Sequence, residues 1–166
     1  LRDNVPARLG PHPAVLDNAP RPSPALPGCT GTRRLAGVQP LADWWAGQPL
    51  PADGGWPALR AQTATGTPLL AAAGLARPEP FFRMLEAQGL AIARLPLADH
   101  HPLQPLPWPA DTPLLVLTEK DAVKLPPGAG AQAGRTQVWV ARLDFLPEPA
   151  FAGALRTLCA SFKMPP

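Results

Sequence analysis

The stretch PLLAAAGLARPEPFFRMLEAQGLAIARL, residues 68–95, decides the fold class. Pro68-Leu69-Leu70-Ala71-Ala72-Ala73 is a short apolar run ending at Gly74, the pattern of a buried strand. Pro78 suits the first turn of a helix and Glu79 its positive end, while Phe81, Phe82, Met84 and Leu85 supply one apolar face. Gly89 is the expected left-handed C-cap. Leu90 to Leu95 is a second apolar run, so strand, helix and strand follow one another within the span of a βαβ unit. That crossover sets the two strands parallel and is expected to be right-handed.

Downstream, Leu114 to Leu117 reads as a third strand and Gln137 to Arg142, with Val138, Trp139 and Val140, as a fourth. Ala122 to Leu125 fits a helical turn headed by Thr118 or Asp121 and broken by Pro126-Pro127-Gly128, and residues 128–134 read as a Gly/Ala/Gln loop. Phe151, Leu155, Leu158 and Phe162 mark an amphipathic C-terminal helix. Upstream, the seven prolines from Pro6 to Pro27 leave no room for a helix. Ala14-Val15-Leu16 looks like a strand closed by the turn pair Asp17-Asn18, and Arg33 to Val38 like a second that pairs with it. Leu41, Trp44 and Trp45 stand at helical spacing, either as one apolar turn against a core or as an aromatic anchor in a membrane headgroup layer. Gln48 to Trp56 reads as a loop. The expected fold is α/β: a small, largely parallel sheet flanked by helices, preceded by a Pro-rich linker with a short two-stranded element. The linker covers residues 1–66 and the α/β domain 67–166.

At 166 residues, 46% of them hydrophobic, the chain can bury a substantial core despite its 26 Pro and 14 Gly. Its net charge of +3 is a small excess, and no basic run exceeds Arg33-Arg34, so a nucleic-acid partner is not expected. Cys29 and Cys159 lack CxxC spacing, which argues against a zinc site or a redox pair. No apolar stretch reaches the ~18 residues of a spanning helix.

Two polar stretches interrupt the apolar pattern, each at the end of a strand: Asp99-His100-His101-Pro102 and Thr118-Glu119-Lys120-Asp121. Loops at the carboxyl ends of parallel strands are where α/β sheets present chemistry. Asp99-His100-His101 admits three readings: metal ligands, an acid–base unit in which Asp99 orients an imidazole, or a loop whose carboxylate bonds backbone amides. The metal reading lacks a third neighbouring ligand, because His12 is remote and Glu119 lies in the other loop, so no metal site is assigned. Thr118 to Asp121 suits phosphate or sugar binding, and equally an N-capped, salt-bridged turn. There is no GxxxxGK[ST], GxGxxG or GxSxG, hence no self-sufficient nucleotide or acyl-transfer site.

Taken in order, Ala71-Ala72-Ala73-Gly74-Leu75-Ala76-Arg77-Pro78, Phe81-Phe82, Leu85, Gly89-Leu90, Asp99-His100-His101-Pro102 and Leu117-Thr118-Glu119-Lys120-Asp121-Ala122-Val123-Lys124 resemble the tetraacyldisaccharide 4'-kinases of lipid A biosynthesis. The resemblance spans Leu70 to Lys124 and is looser around Leu16-Asp17-Asn18, Leu35-Ala36-Gly37 and after Gln137. It implies an ATP- and Mg²⁺-dependent transferase at the cytoplasmic face of the bacterial inner membrane. Such an enzyme phosphorylates the 4'-hydroxyl of a lipid A disaccharide precursor. The family's P-loop half is absent from this sequence, and Leu1-Arg2-Asp3 resembles the Leu-Arg-Glu that closes that half, so the chain is expected to be a C-terminal fragment, inactive alone. The family's nucleotide and Mg²⁺ are accordingly expected on the missing half.

Carried over by position, the resemblance makes His100 and Asp99 catalytic: His100 would help activate the acceptor hydroxyl and Asp99 would orient it. Arg2, His101, Lys120 and Asp121 would bind substrate. The chain departs from the family at Gly74-Leu75-Ala76-Arg77, where Gly-Ile-Gly-Asn is common, at Leu103, where Phe is commoner, and at Asp3. The rival readings are a noncatalytic lipid- or glycan-binding module and, more distantly, a metal-dependent hydrolase built on Asp99, His100 and His101. Oligomeric state is not legible.

Overall fold

Leu114–Thr118 is buried at every residue, which marks the strand as internal to a sheet covered on both faces. The computed structural model describes residues 15–17, 28–126 and 136–161. In chain order these form β1 (Leu16–Asp17), β2 (Cys29–Pro40), α1 (Leu41–Trp45), α2 (Trp56–Thr63), β3 (Leu69–Ala73), α3 (Glu79–Glu86), β4 (Ile92–Pro96), β5 (Leu114–Thr118), α4 (Glu119–Ala122), β6 (Gln137–Pro147) and α5 (Pro149–Ser161). The strand order is β1-β2-β6-β5-β3-β4. The expectations placed on Arg2, Asp3, the prolines up to Pro27, residues 128–134 and Phe162 lie outside the described residues.

The larger of two compact units runs from Arg34 to Asp144. In it β3 lies between two parallel partners, with Leu69 opposite Ile92 on one side and Leu114 on the other. β6 continues the parallel array from Leu114↔Gln137 to Thr118↔Ala141. The strand–helix–strand reading of residues 68–95 is thus present as β3, α3 and β4. Because β3, β4 and β5 are parallel, their carboxyl ends open on one edge, where Gly74, Leu97 to His101 and Thr118 to Asp121 emerge.

Side-chain alternation divides the core into two layers. Ala71, Ala73, Leu114, Val116, Trp139 and Ala141 pack with Trp56 and Leu59 of α2 and with Phe81, Phe82 and Leu85 of α3. Ala72, Leu115, Leu117, Val138 and Val140 pack with Leu41 of α1, Leu103 and Trp108 of the β4–β5 connection, and Ala122 and Leu125. Phe81, Phe82 and Leu85 are at most 1% exposed, and each such side chain contributes about 1.5–3 kcal/mol of burial. At the sheet edge on β4, Arg94 pairs with Glu79 and Glu86, a charged cover that discourages further strand pairing.

Several elements differ from their sequence expectation. Residues 56–63 form a helix whose first residue, Trp56, the sequence places at the end of a loop. Gly54 and Gly55 turn the chain at φ +71° and +72°, and Asp53 Oδ1 accepts the Gly55 N–H at 2.8 Å. Gly55 is also obligatory for space, since a Cβ there would stand 2.1 Å from the Val38 carbonyl oxygen. Pro57 then starts the helix in its first turn. α3 is capped by Ala87; Gly89 takes its left-handed conformation two residues later, at φ +77°.

The larger unit, Arg34–Asp144, spans the expected boundary between residues 66 and 67, and Leu35 and Val38 of β2, Leu41 of α1 and Trp56 and Leu59 of α2 lie in its core. β2 is also longer than the expected Arg33–Val38 strand. Its pairing with β1 is parallel and involves Leu16↔Cys29 and Asp17↔Thr30.

Those paired residues belong to the smaller unit, residues 1–33 with 145–166. There the Phe145 ring occupies the space a side chain at Gly31 would need. Thr30 donates its hydroxyl to Glu148, and its carbonyl accepts the Glu148 N–H at 2.9 Å.

Candidate active site

Asp121 is the anchor of the strand edge. Thr118, the last residue of β5, caps α4 by accepting the Asp121 N–H at 3.2 Å and returns its own hydroxyl hydrogen to Asp121 Oδ2 at 2.9 Å. Oδ2 also accepts the Gly74 N–H at 2.8 Å, and Oδ1 accepts from Lys124 Nζ at 2.8 Å. With 0% exposure and three protein donors, this carboxylate is part of the framework that joins the strand ends. Gly74 is built for the contact, since a Cβ there would lie 2.8 Å from Asp121 Oδ1. The N-capped reading of Thr118 to Asp121 is therefore the one the side chains adopt.

The β4 end is tied to the same anchor. Leu97 N–H donates to the Ala73 carbonyl at 3.0 Å, and His101 N–H to Ala98 at 3.0 Å, closing a tight turn. Lys120 Nζ donates to Asp99 Oδ1 at 2.5 Å and to the Gly74 carbonyl at 3.2 Å. Lys124 Nζ donates to the His101 carbonyl at 2.8 Å. Lys120, expected as a substrate ligand, thus has an intramolecular carboxylate as its closest partner.

The two histidines part company here. His101 Nδ1 accepts the Leu103 N–H at 3.0 Å, so its imidazole is part of the loop framework and carries its own hydrogen on Nε2 when neutral. His100 adopts φ +61°, a left-handed conformation costly for a residue with a Cβ. Its side chain is 79% exposed, and its Nε2 stands 3.7 Å from Asp99 Oδ2, an ion-pair distance and not a hydrogen bond. Asp99 Oδ1 accepts the His100 backbone N–H at 3.1 Å. Asp99 therefore fixes the backbone of His100 and stands at ion-pair distance from its imidazole without a hydrogen bond to it. Leu103, buried in the core, takes the same left-handed conformation at φ +59°, so the loop turns on two such residues, one exposed and one packed.

The Lys120 hydrogen bond, helped by the charge of His100, holds the Asp99 carboxyl below the usual carboxylate range. A carboxyl whose folded pKa is depressed adds stability above its ordinary value of about 4, and that stability disappears as pH falls through the lowered value. The Tm difference between wild type and Lys120→Met is therefore expected to be constant above about pH 5 and to close in more acid solution. A gap that persists through the acid range would mean the Asp99 link is not what Lys120 contributes.

Of the three loop carboxylates, Asp121 is enclosed, Asp99 is held by the Lys120 ammonium and Glu119 is paired with Arg142, so none stands free for Mg²⁺. Among the described residues no group of three or more His, Cys, Asp or Glu could hold a metal ion, and no helix is long and apolar enough to cross a membrane. Leu41 and Trp44 pack on the second core layer while Trp45 is exposed, and the two indole N–H groups donate to Glu119 Oε1 and to the Leu125 carbonyl, both at 3.1 Å. Glu119 also meets Arg142 Nε at 3.2 Å. Sequence reading missed Lys124 and the main chain of Gly74; the i, i+3 spacing of Asp121 and Lys124 was the available signal.

A family model described as tetraacyldisaccharide-1-P 4'-kinase matches residues 48–160. A tetraacyldisaccharide 4'-kinase of Methylibium petroleiphilum is 47% identical over 147 residues, covering 88% of this chain and 39% of that protein. One of Leptothrix cholodnii is 45% identical over 162 residues, covering 96% and 45%. The chain thus spans about two fifths of the length of the curated relatives it matches. A crystal structure described as the "apo" form of LpxK from Aquifex aeolicus in complex with ATP aligns at a TM-score of 0.49 and 16% identity, over 82% of this chain and 37% of that one, a likeness too loose to bear on the site.

Proposed function

Because the chain belongs to the tetraacyldisaccharide-1-P 4'-kinase family, we propose that it supplies the acceptor-side histidine of such a kinase. The reaction transfers the ATP γ-phosphoryl group to the 4'-hydroxyl of a tetraacyldisaccharide 1-phosphate. One observation carries the reading: at the edge where three parallel strands end, His100, alone of the loop's charged or titratable side chains, is held by its backbone while its ring forms no hydrogen bond with the described residues.

In this role an imidazole nitrogen of His100 accepts the proton of the 4'-hydroxyl as the oxygen bonds to the γ-phosphorus, and the bridging bond to the β-phosphate breaks to release ADP. His101 shapes the loop, Asp99 fixes the His100 backbone, and Asp121 and Lys120 hold that loop to β3 and β5. Arg2 approaches a phosphate only on the strength of family resemblance. Nucleotide and Mg²⁺ are bound by residues other than those described here, which provide neither a phosphate cradle nor a free carboxylate pair. An acceptor with four acyl chains places the reaction at a membrane surface, and the use of ATP places it on the cytoplasmic face. The noncatalytic module is not favoured, since the family is one of kinases.

The test is an assay of the protein encoded by the complete gene with ATP and tetraacyldisaccharide 1-phosphate. Mass spectrometry should find the lipid heavier by one phosphoryl group, placed at the 4' position, and residues 1–166 alone should yield none. Unmodified lipid after incubation with folded, complete protein would overturn the reading.

A further inference from the structure

Lys120 and Lys124 stand one helical turn apart, on α4 and the turn that continues it, and grip the two ends of Asp99-His100-His101. Lys120 Nζ reaches the Asp99 side chain and Lys124 Nζ the His101 carbonyl. Each ammonium is also fixed from behind, Lys120 by the Gly74 carbonyl and Lys124 by buried Asp121. The residue between the two grips is the one with φ +61°. Left to itself, a histidine relaxes out of the left-handed region, so something must hold the peptide groups on either side of it. Asp99 Oδ1 does so on one side, bonding Lys120 and the His100 N–H together. The carbonyl of His101 is the corresponding point on the other.

We propose that Lys120 and Lys124 form a two-point clamp that aims His100, acting as positioning residues through Asp99 and the His101 carbonyl and touching neither nucleotide nor acceptor. The inference rests on His100 serving as proposed above. It assigns the paired lysines of the Thr118–Lys124 stretch a single purpose: the lysine one turn later secures the far side of a loop whose near side the first secures. It also explains how a left-handed histidine persists between Asp99 and His101.

Lys124 also neutralises buried Asp121, so its replacement risks the fold; Lys120, with 38% of its side chain exposed, carries the test. In the complete protein, Lys120→Met keeps the aliphatic stem and removes the ammonium. We expect kcat to fall about 10- to 100-fold while KM for ATP changes less than about twofold, the signature of misplacement and not of lost binding. Native-state amide exchange at His100 and His101 should quicken about tenfold, with exchange in β3 and β5 unchanged. Lys120→Arg, which keeps the charge, should recover part of both. Unchanged exchange, or faster exchange with unchanged kcat, overturns the clamp. A raised KM for either substrate also overturns it, because Lys120 would then be a ligand. His100→Ala run in parallel separates the two layers: if it abolishes turnover while Lys120→Met alters nothing, only the clamp falls, and if it leaves turnover intact, the reading of His100 falls first.

Discussion

His100→Ala in the complete protein is expected to lower turnover by about 100-fold or more, as for loss of a general acid or base, with stability within about 0.5 kcal/mol of wild type. The two halves of that expectation come from the same geometry. The ring is 79% exposed and forms no hydrogen bond with the described residues, so truncating it removes no packing and orphans no partner. The backbone remains held by Asp99 and by the His101–Ala98 turn. His100→Gly sharpens the point: relief of left-handed strain, set against the flexibility glycine adds to the unfolded chain, leaves stability equal to wild type or about 0.5 kcal/mol higher. Activity should be lost all the same. Kinetics with saturating ATP, alongside urea denaturation of each variant, would read both quantities, and near-normal turnover in a folded His100→Ala protein would reject the assignment.

Asp121→Ala is expected to be the most damaging single change to the fold, costing about 3 kcal/mol, the lower end for breaking a buried ion pair because Lys124 keeps some contact with water. The loss strikes three donors at once: the Gly74 N–H, the Thr118 hydroxyl and the Lys124 ammonium. These join the ends of β3 and β5 to α4, so both loops of the site should loosen together. Asp121→Asn keeps a carbonyl acceptor for Gly74 or Thr118 while losing the charge, and should cost about 1–2 kcal/mol. The denaturation midpoints should therefore rank wild type, Asn, Ala. Equal midpoints for all three would mean that the sheet edge is secured by packing alone. Since a domain of this size has a net stability of about 5–15 kcal/mol, the Ala variant loses a large share of it and its midpoint should fall accordingly.

The parallel sheet was legible because its strands are unbroken apolar runs closed by glycine or charge, and β3, α3 and β4 follow one another at the spacing a crossover requires. α2 was not legible, because its start depends on two glycines in left-handed geometry and on the closeness of Gly55 to the Val38 carbonyl, neither of which leaves a periodic signal. Asp99, His100 and Lys120 were legible as residues, yet their division of labour was not. Asp99 stands beside His100 in sequence, but its side-chain partner is Lys120, 21 positions away, a pairing created only when β4 and β5 flank β3. The capped turn at Thr118 to Asp121 is legible as a pattern, but the burial of Asp121 is not; it follows from Thr118 capping α4 and turning the carboxylate inward toward Gly74.

β2 and β6 are neighbours in the sheet, yet on the order of 100 residues of chain separate them. At a synthesis rate of about 5–20 residues per second, β2 emerges from the ribosome roughly 5–20 s before its neighbour exists. During that interval β3, α3, β4 and β5 can assemble, while one edge of β2 offers unpaired amides and carbonyls to any passing strand. Thr32, Arg33 and Arg34 lie consecutively in β2 and are exposed in the finished sheet, so two of the chain's 15 basic residues sit on the strand left waiting longest. Charges so placed are what sequences use to discourage wrong pairing of an exposed strand in a nascent chain.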